Sequence, residues 1–109
     1  MNANEPAATV NKEDDLTWWY LRLYIAGKSS RSVHASANLK RLCDEHLAGH
    51  YEIEIIDLVE RPSLARGDDI LAIPTLVRRL PKPQRRIVGD LSDTKRVLAG
   101  LQIETAFSG

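Results

Sequence analysis

Between Thr17 and Gly27 the side chains alternate, with Leu21, Leu23 and Ile25 on one side and Tyr20, Arg22 and Tyr24 on the other. A period of two predicts a β-strand with one buried face, and Trp18 or Trp19 just before it is placed to cover the sheet edge. The period then lengthens. Ser36, Leu39, Leu42, Cys43 and Leu47 recur every three or four residues, which predicts a helix running from a cap at Ser30 or Ser32 to about Ala48, with Gly49 as its stop. Tyr51 to Val59 alternates and then turns uniformly apolar, the pattern of a second strand at an internal sheet position. Strand, helix and strand in this order form a right-handed unit with parallel strands. Pro62 opens a stretch of weak preference from Ser63 to Ile70, helical or irregular and broken by Gly67. Thr75–Leu80 and Arg85–Val88 read as a hairpin joined by Pro81-Lys82-Pro83-Gln84. Ser92 or Asp93 then caps a last helix with Val97, Leu98 and Leu101 as its apolar stripe. Gly100 interrupts that helix at a cost of about 0.5–1 kcal/mol relative to Ala.

These elements predict one α/β domain with the layout of a thioredoxin-like fold. Such a domain carries Cys-x-x-Cys at the start of its first helix. Here the corresponding residues are Ser29-Ser30-Arg31-Ser32, and a serine hydroxyl cannot supply the thiolate that disulfide exchange needs. The 109 residues suffice for one core, divided as a disordered tail over 1–16, a domain over 17–103 and a short tail over 104–109. Fifteen basic and fifteen acidic residues cancel, so no global field favours nucleic acid or an anionic membrane. With one cysteine, no signal-like segment and no apolar run near the roughly 18 residues of a membrane span, the expectation is a cytoplasmic protein.

Six segments in constant register carry a more specific likeness. They are Leu23-Tyr24-Ile25-Ala26-Gly27, Ile56-Asp57-Leu58, Ile70-Leu71-Ala72-Ile73-Pro74-Thr75-Leu76, Pro81-Lys82-Pro83, Arg85-Arg86-Ile87-Val88-Gly89-Asp90-Leu91-Ser92 and Val97-Leu98-Ala99-Gly100-Leu101. From about Trp19 to Leu101 the chain resembles the KaiB family of circadian clock proteins, and also the KaiB-like sensor domain of SasA histidine kinases.

The resemblance implies a non-enzymatic regulator without a cofactor, which binds the N-terminal ATPase domain of a KaiC-like hexamer in a fold-dependent manner. It implies KaiA or a SasA-like kinase as further partners, and a dimeric or tetrameric ground state. It also implies two folds, a βαββααβ ground state and a thioredoxin-like βαβαββα state, which share the N-terminal half and differ from about Ser63 onward. Two packings of one sequence coexist when they differ by only a few kcal/mol. By the same likeness, Ala26, Gly27, Ser29, Ile73, Pro74 and Thr75 form the partner-binding edge, with Asp69 and Arg85 as charged support. Pro74, expected to follow a cis bond, is a fold-switch position together with Pro81, Pro83, Gly89 and Gly100. The longer N-terminal tail and the absence of an acidic C-terminal tail mark a divergent member, for which KaiA need have no counterpart. The alternative is a KaiB-like signalling or stress-response module outside a clock, with a histidine kinase as partner.

Other constellations reduce to structure. Cys43, His46 and His50 have one side of a zinc spacing, but a tetrahedral site needs four ligands and Cys43 lies on the apolar face. Arg78 and Arg79 alternate to opposite faces, so with Arg85 and Arg86 they form no continuous patch and read as solvated edge charges or a charge-paired interface. Asp68, Asp69, Asp90 and Asp93 have no accompanying nucleophile, metal set or phosphate loop.

Overall fold

A computed structural model describes residues 17–103; the tails predicted at 1–16 and 104–109 lie outside the described residues. The elements are β1 (Trp19–Ile25), α1 (Ser30–His46), β2 (Tyr51–Asp57), a 3₁₀ helix (Pro62–Asp68), β3 (Thr75–Leu80), β4 (Arg85–Val88) and α2 (Thr94–Leu101). They build one four-stranded sheet in the order β2-β1-β3-β4. β1 and β2 are parallel, as a strand–helix–strand unit requires, and β3 pairs antiparallel with both β1 and β4. The order is thioredoxin-like, with the middle helix contracted to a 3₁₀ segment over the stretch where the sequence preference is weakest. The peptide bonds before Pro74, Pro81 and Pro83 are cis.

The expectation for β2 is overturned. It is an edge strand, because β3 comes in on the other side of β1, and Ile55 remains 48% exposed. Nor does the strand extend to Val59: after Asp57 the chain turns, leaving Leu58 half-buried and Val59 exposed. Tyr24 also departs from its predicted polar face. α1 and α2 cover one side of the sheet, where Leu21, Leu23, Leu39, Leu42, Leu76, Val97 and Leu101 pack. A smaller cluster covers part of the other side, with Tyr24, Ile56 and Val77 under Leu58, Leu64 and Ile70. Both faces of β1 are therefore covered near its C-terminal end, and Tyr24 is fully buried while Ile25 is half-buried.

Capping refines the helix bounds. The N-cap of α1 is Ser29, whose Oγ accepts from Ser32 N–H at 3.3 Å, rather than Ser30 or Ser32. Ser32 is buried on the helical face instead, with Ala35, and Ser36 sits at its margin. Asp93 caps α2 by accepting from Arg96 N–H at 3.2 Å. Gly100 has an ordinary helical position but a crowded one: a Cβ there would lie 2.8 Å from Ile87 Cδ1. It is a close-packing glycine at the α2–β4 contact, not simply a weak point of the helix. No described helix is long and apolar enough to cross a membrane.

Candidate functional site: one end of the sheet

Three chain segments meet where β1 ends and β3 begins, since Tyr24 pairs with Thr75 and Thr75 with Val88. Leaving β1, the chain must turn sharply into α1. Gly27 supplies the positive φ of 61° that the turn requires, and its N–H donates to Asp57 Oδ1 at 2.9 Å. Ala26 N–H donates to Ser32 Oγ at 3.2 Å, and the Ser29 hydroxyl donates to the same oxygen at 2.9 Å. The serines thus bond the backbone of the turn and the first turn of α1. On the neighbouring strand Thr75 Oγ1 donates to Ala72 O at 2.6 Å, and Gly89 N–H donates to Pro74 O at 2.9 Å. Gly89 holds φ 124°, a conformation that disfavours any side chain.

Ala26, Gly27, Ser29, Ile73, Pro74 and Thr75 are thereby carried on adjacent segments at one end of the sheet. Ser29 is exposed, Ala26, Gly27 and Ile73 are half-buried, and Pro74 and Thr75 are buried, so the last two shape the edge more than they present it. Asp69 is exposed nearby in a left-handed conformation, φ 53°, closing the 3₁₀ helix. Arg85 does not belong to this group. It pairs with Arg78 at the far end of β4, three residues from the Thr75–Val88 pair, or about 10 Å along a strand. Its neighbour Arg86 reaches the site instead, donating from Nη1 to Asp69 O at 3.1 Å.

Pattern reading also missed the surface beside this edge. Asp69, Leu71, Ala72, Thr75, Arg86 and Val88 line a shallow hollow. Leu71 is 96% exposed and Val88 43%, although both look like core residues in the sequence. The available signal was the break in periodicity after Gly67, which leaves Leu71 without a face to bury.

The hairpin arginines separate by face as alternation demands, but they are not all solvated. Arg78 is 3% exposed; its guanidinium lies 5.5 Å from the Trp19 ring centroid and donates to Leu101 O and Pro83 O. Burial and the nearby Arg85 charge lower its pKa. Of the two tryptophans placed to cover the sheet edge, Trp19 is buried there, whereas Trp18 is half-exposed. Arg79 bonds Asp68 Oδ1 at 3.1 Å.

Disulfide chemistry has no thiol to work with at this edge. Cys43 is buried under α1, and burial pushes its thiol up to about 12. Among the described residues no three His, Cys, Asp or Glu side chains converge as a metal site.

Known proteins fit this architecture. The KaiB domain family matches residues 22–103. The circadian clock protein KaiB3 of Synechocystis is 48% identical over 89 residues, covering 82% of this chain and 87% of that protein. The circadian clock oscillator protein KaiB of Microcystis aeruginosa is 46% identical over 85 residues, covering 78% and 82%. Among solved structures, the N-terminal domain of SasA from Synechococcus elongatus superposes with a TM-score of 0.64 at 20% identity, covering 98% of this chain and 97% of that one. Oxidised mitochondrial thioredoxin 3 from Saccharomyces cerevisiae superposes with 0.63 at 15% identity, covering 88% and 90%, a likeness of fold alone. With a domain match across most of the folded part and close relatives over four-fifths of its length, the chain belongs to the KaiB family.

Proposed function

We propose that this protein is a non-enzymatic, circadian-clock-type regulator that binds the N-terminal ATPase domain of a KaiC-like hexamer. The observation that carries the reading is the convergence of Ala26, Gly27, Ser29, Ile73, Pro74 and Thr75 at one end of a thioredoxin-like sheet whose thiol positions are serines. Asp69 supplies charge at that edge and Arg86 takes the part expected of Arg85. Binding is fold-dependent on this reading, because the edge exists only while β3 is paired with β1; the alternative βαββααβ arrangement would dismantle it, with Pro74, Pro81, Pro83, Gly89 and Gly100 as the pivots. A cytoplasmic setting, a dimer or tetramer of the free chain and KaiA as an additional partner belong to the same proposal.

Titrating a cognate KaiC-type ring tests it. Ser29→Trp and Pro74→Ala are expected to weaken binding by roughly tenfold or more each, the scale of substitutions at the centre of an interface, and Arg85→Ala to leave it nearly unchanged. Unaltered affinity in both edge variants would overturn the assignment. The fold shared with the SasA N-terminal domain favours one second reading, a signalling module outside a clock that engages a histidine-kinase pathway. Retention of such a kinase, and not of the ring, would decide for it.

A further inference from the structure

The loop that contributes half of the proposed edge buries little of its own surface; between its ends it is held by the half-buried Ile70 and by Arg86, whose Nη1 donates to Asp69 O at 3.1 Å. From Asp69 to Ala72 its side chains are largely solvent-facing, and Leu71 is almost wholly exposed. Such a loop takes its position from its ends. One end is β3, through Pro74 and Thr75. The other is the 3₁₀ helix, which lies on the side of the sheet opposite α1 and α2 and ends at Asp68.

Asp68 is the one buried acidic side chain among the described residues, 6% exposed. Its carboxylate accepts from the Tyr24 hydroxyl at 2.6 Å through Oδ2 and from Arg79 Nη1 at 3.1 Å through Oδ1, and Arg22 Nη1 lies 3.6 Å from Oδ2. Tyr24 and Arg22 belong to β1 and Arg79 to β3, so a single carboxylate ties the 3₁₀ segment to two adjacent strands. Charge-assisted hydrogen bonds are shorter and stronger than neutral ones, and a buried carboxylate without them would be costly. Arg22 is shared with Glu54 at 3.1 Å, whereas Asp68 is the carboxylate within ion-pair distance of Arg79 among the described residues. The apolar contacts of Leu64 and Ile70 with Tyr24, Ile56 and Val77 hold the segment on the sheet but fix no register. The directional bonds of Asp68 do.

We propose that Asp68 is a positioning residue for the partner-binding edge: anchored by Tyr24 and Arg79, it sets where the Asp69–Pro74 loop sits, and hence where Leu71 and Asp69 are presented. The inference rests on the reading of that edge as the docking site only for its functional consequence. The anchoring itself is a property of the free protein and is tested without a partner.

The experiment is residue-resolved amide hydrogen exchange on the full chain, paired with ring titration, for Asp68→Ala, Asp68→Asn and Tyr24→Phe. Asp68→Ala should speed exchange of Leu64 to Ile73 at least tenfold while the amides of α1, β1 and β2 keep their protection, and should weaken ring binding by a similar factor. Asp68→Asn retains an acceptor for Tyr24 but lacks the charge, so a smaller effect of the same pattern is expected. Tyr24→Phe removes only the hydroxyl and keeps the ring in the core, which provides a folded test should Asp68→Ala fail to fold. Leu42→Ala, a core truncation remote from the network, serves as the destabilised control: it should raise exchange across the whole domain and leave the affinity of the folded fraction intact. Unchanged loop exchange in the Asp68 and Tyr24 variants, or a loss of protection spread over the whole molecule as in Leu42→Ala, would overturn the inference. Loop exchange accelerated with affinity unchanged would uphold the anchoring and sink the docking reading.

Discussion

Two arginines seven residues apart show what a residue's environment adds to its type. Arg78 and Arg85 both read as hairpin charges, yet Arg78 is buried against Trp19 and bonds two carbonyls, while Arg85 is exposed. Truncating Arg78 to Ala leaves Leu101 O and Pro83 O without that donor and opens space beside the indole, so a loss of about 2–4 kcal/mol is expected in urea unfolding. Arg85→Ala should stay within about 0.5 kcal/mol, as exposed substitutions do. Equal effects of the two would contradict the burial of Arg78. Sequence alternation assigned their strand correctly but not their depth, because depth depends on where α2 ends, a non-local fact. Cys43 was legible, since its place in the apolar helical period fixes its burial. Its folded-state pKa is raised, so the contribution of the protonated thiol to stability is fully present below the unfolded value of about 8.5 and declines as pH rises above it. Ellman's reagent at pH 8 should therefore label native Cys43 only as fast as the protein opens, and rapid stoichiometric labelling would refute the buried thiol.

At the scale of elements, the strong periods and the Asp93 cap survived, while the weak stretch after Pro62 and Gly100 took forms that the pattern alone does not give. β1, α1, the hairpin and α2 all form where alternation and capping place them, to within a few residues. The 3₁₀ helix was the ambiguous stretch, and it is short, Pro-initiated and crossed by Gly67, so few backbone bonds define it. Gly100 was legible as a helix glycine but not as a packing contact, because the Ile87 side chain meets it from another element. Packing therefore opposes helix propensity in Gly100→Ala. Its gain in helix propensity, about 0.5–1 kcal/mol, is opposed by the displacement of Ile87 Cδ1. Ile87→Val deletes that methyl group at a usual cost of about 0.5–1.5 kcal/mol. The double variant should then be more stable than the two single effects sum to, by about 0.5 kcal/mol or more in a double-mutant cycle. Strict additivity would mean that Ile87 turns away without cost and that the contact is not tight.

The whole molecule joins a half with strong local signals to one held by long-range pairing. The β1–α1–β2 unit was predictable because its pattern is local, whereas the sheet order was legible only through the thioredoxin-like layout as a whole: nothing in the apolar run of β2 itself says that β3 will enter on the far side of β1 and leave β2 at the edge. Half of the candidate edge shares that fate, since Pro74 and Thr75 reach Ala26 and Gly27 only through the β1–β3 ladder. A ligand of this edge must therefore stabilise the ladder that builds it. At a free ring concentration a hundred times Kd, linkage adds about 2.7 kcal/mol to the arrangement that binds, which slows exchange about a hundredfold for amides that open only when β3 detaches. Leu76, Val77 and Ile87, all buried on β3 and β4, are the reporters. The expected outcome in the complex is a gain of that order at these amides, with the register Leu76–Ile87 and Val77–Arg86 intact. Binding that protected β2 and α1 while β3 and β4 continued to exchange as in the free protein would show that the ring reads the N-terminal half alone, and that the paired edge described for this fold is not what it recognises.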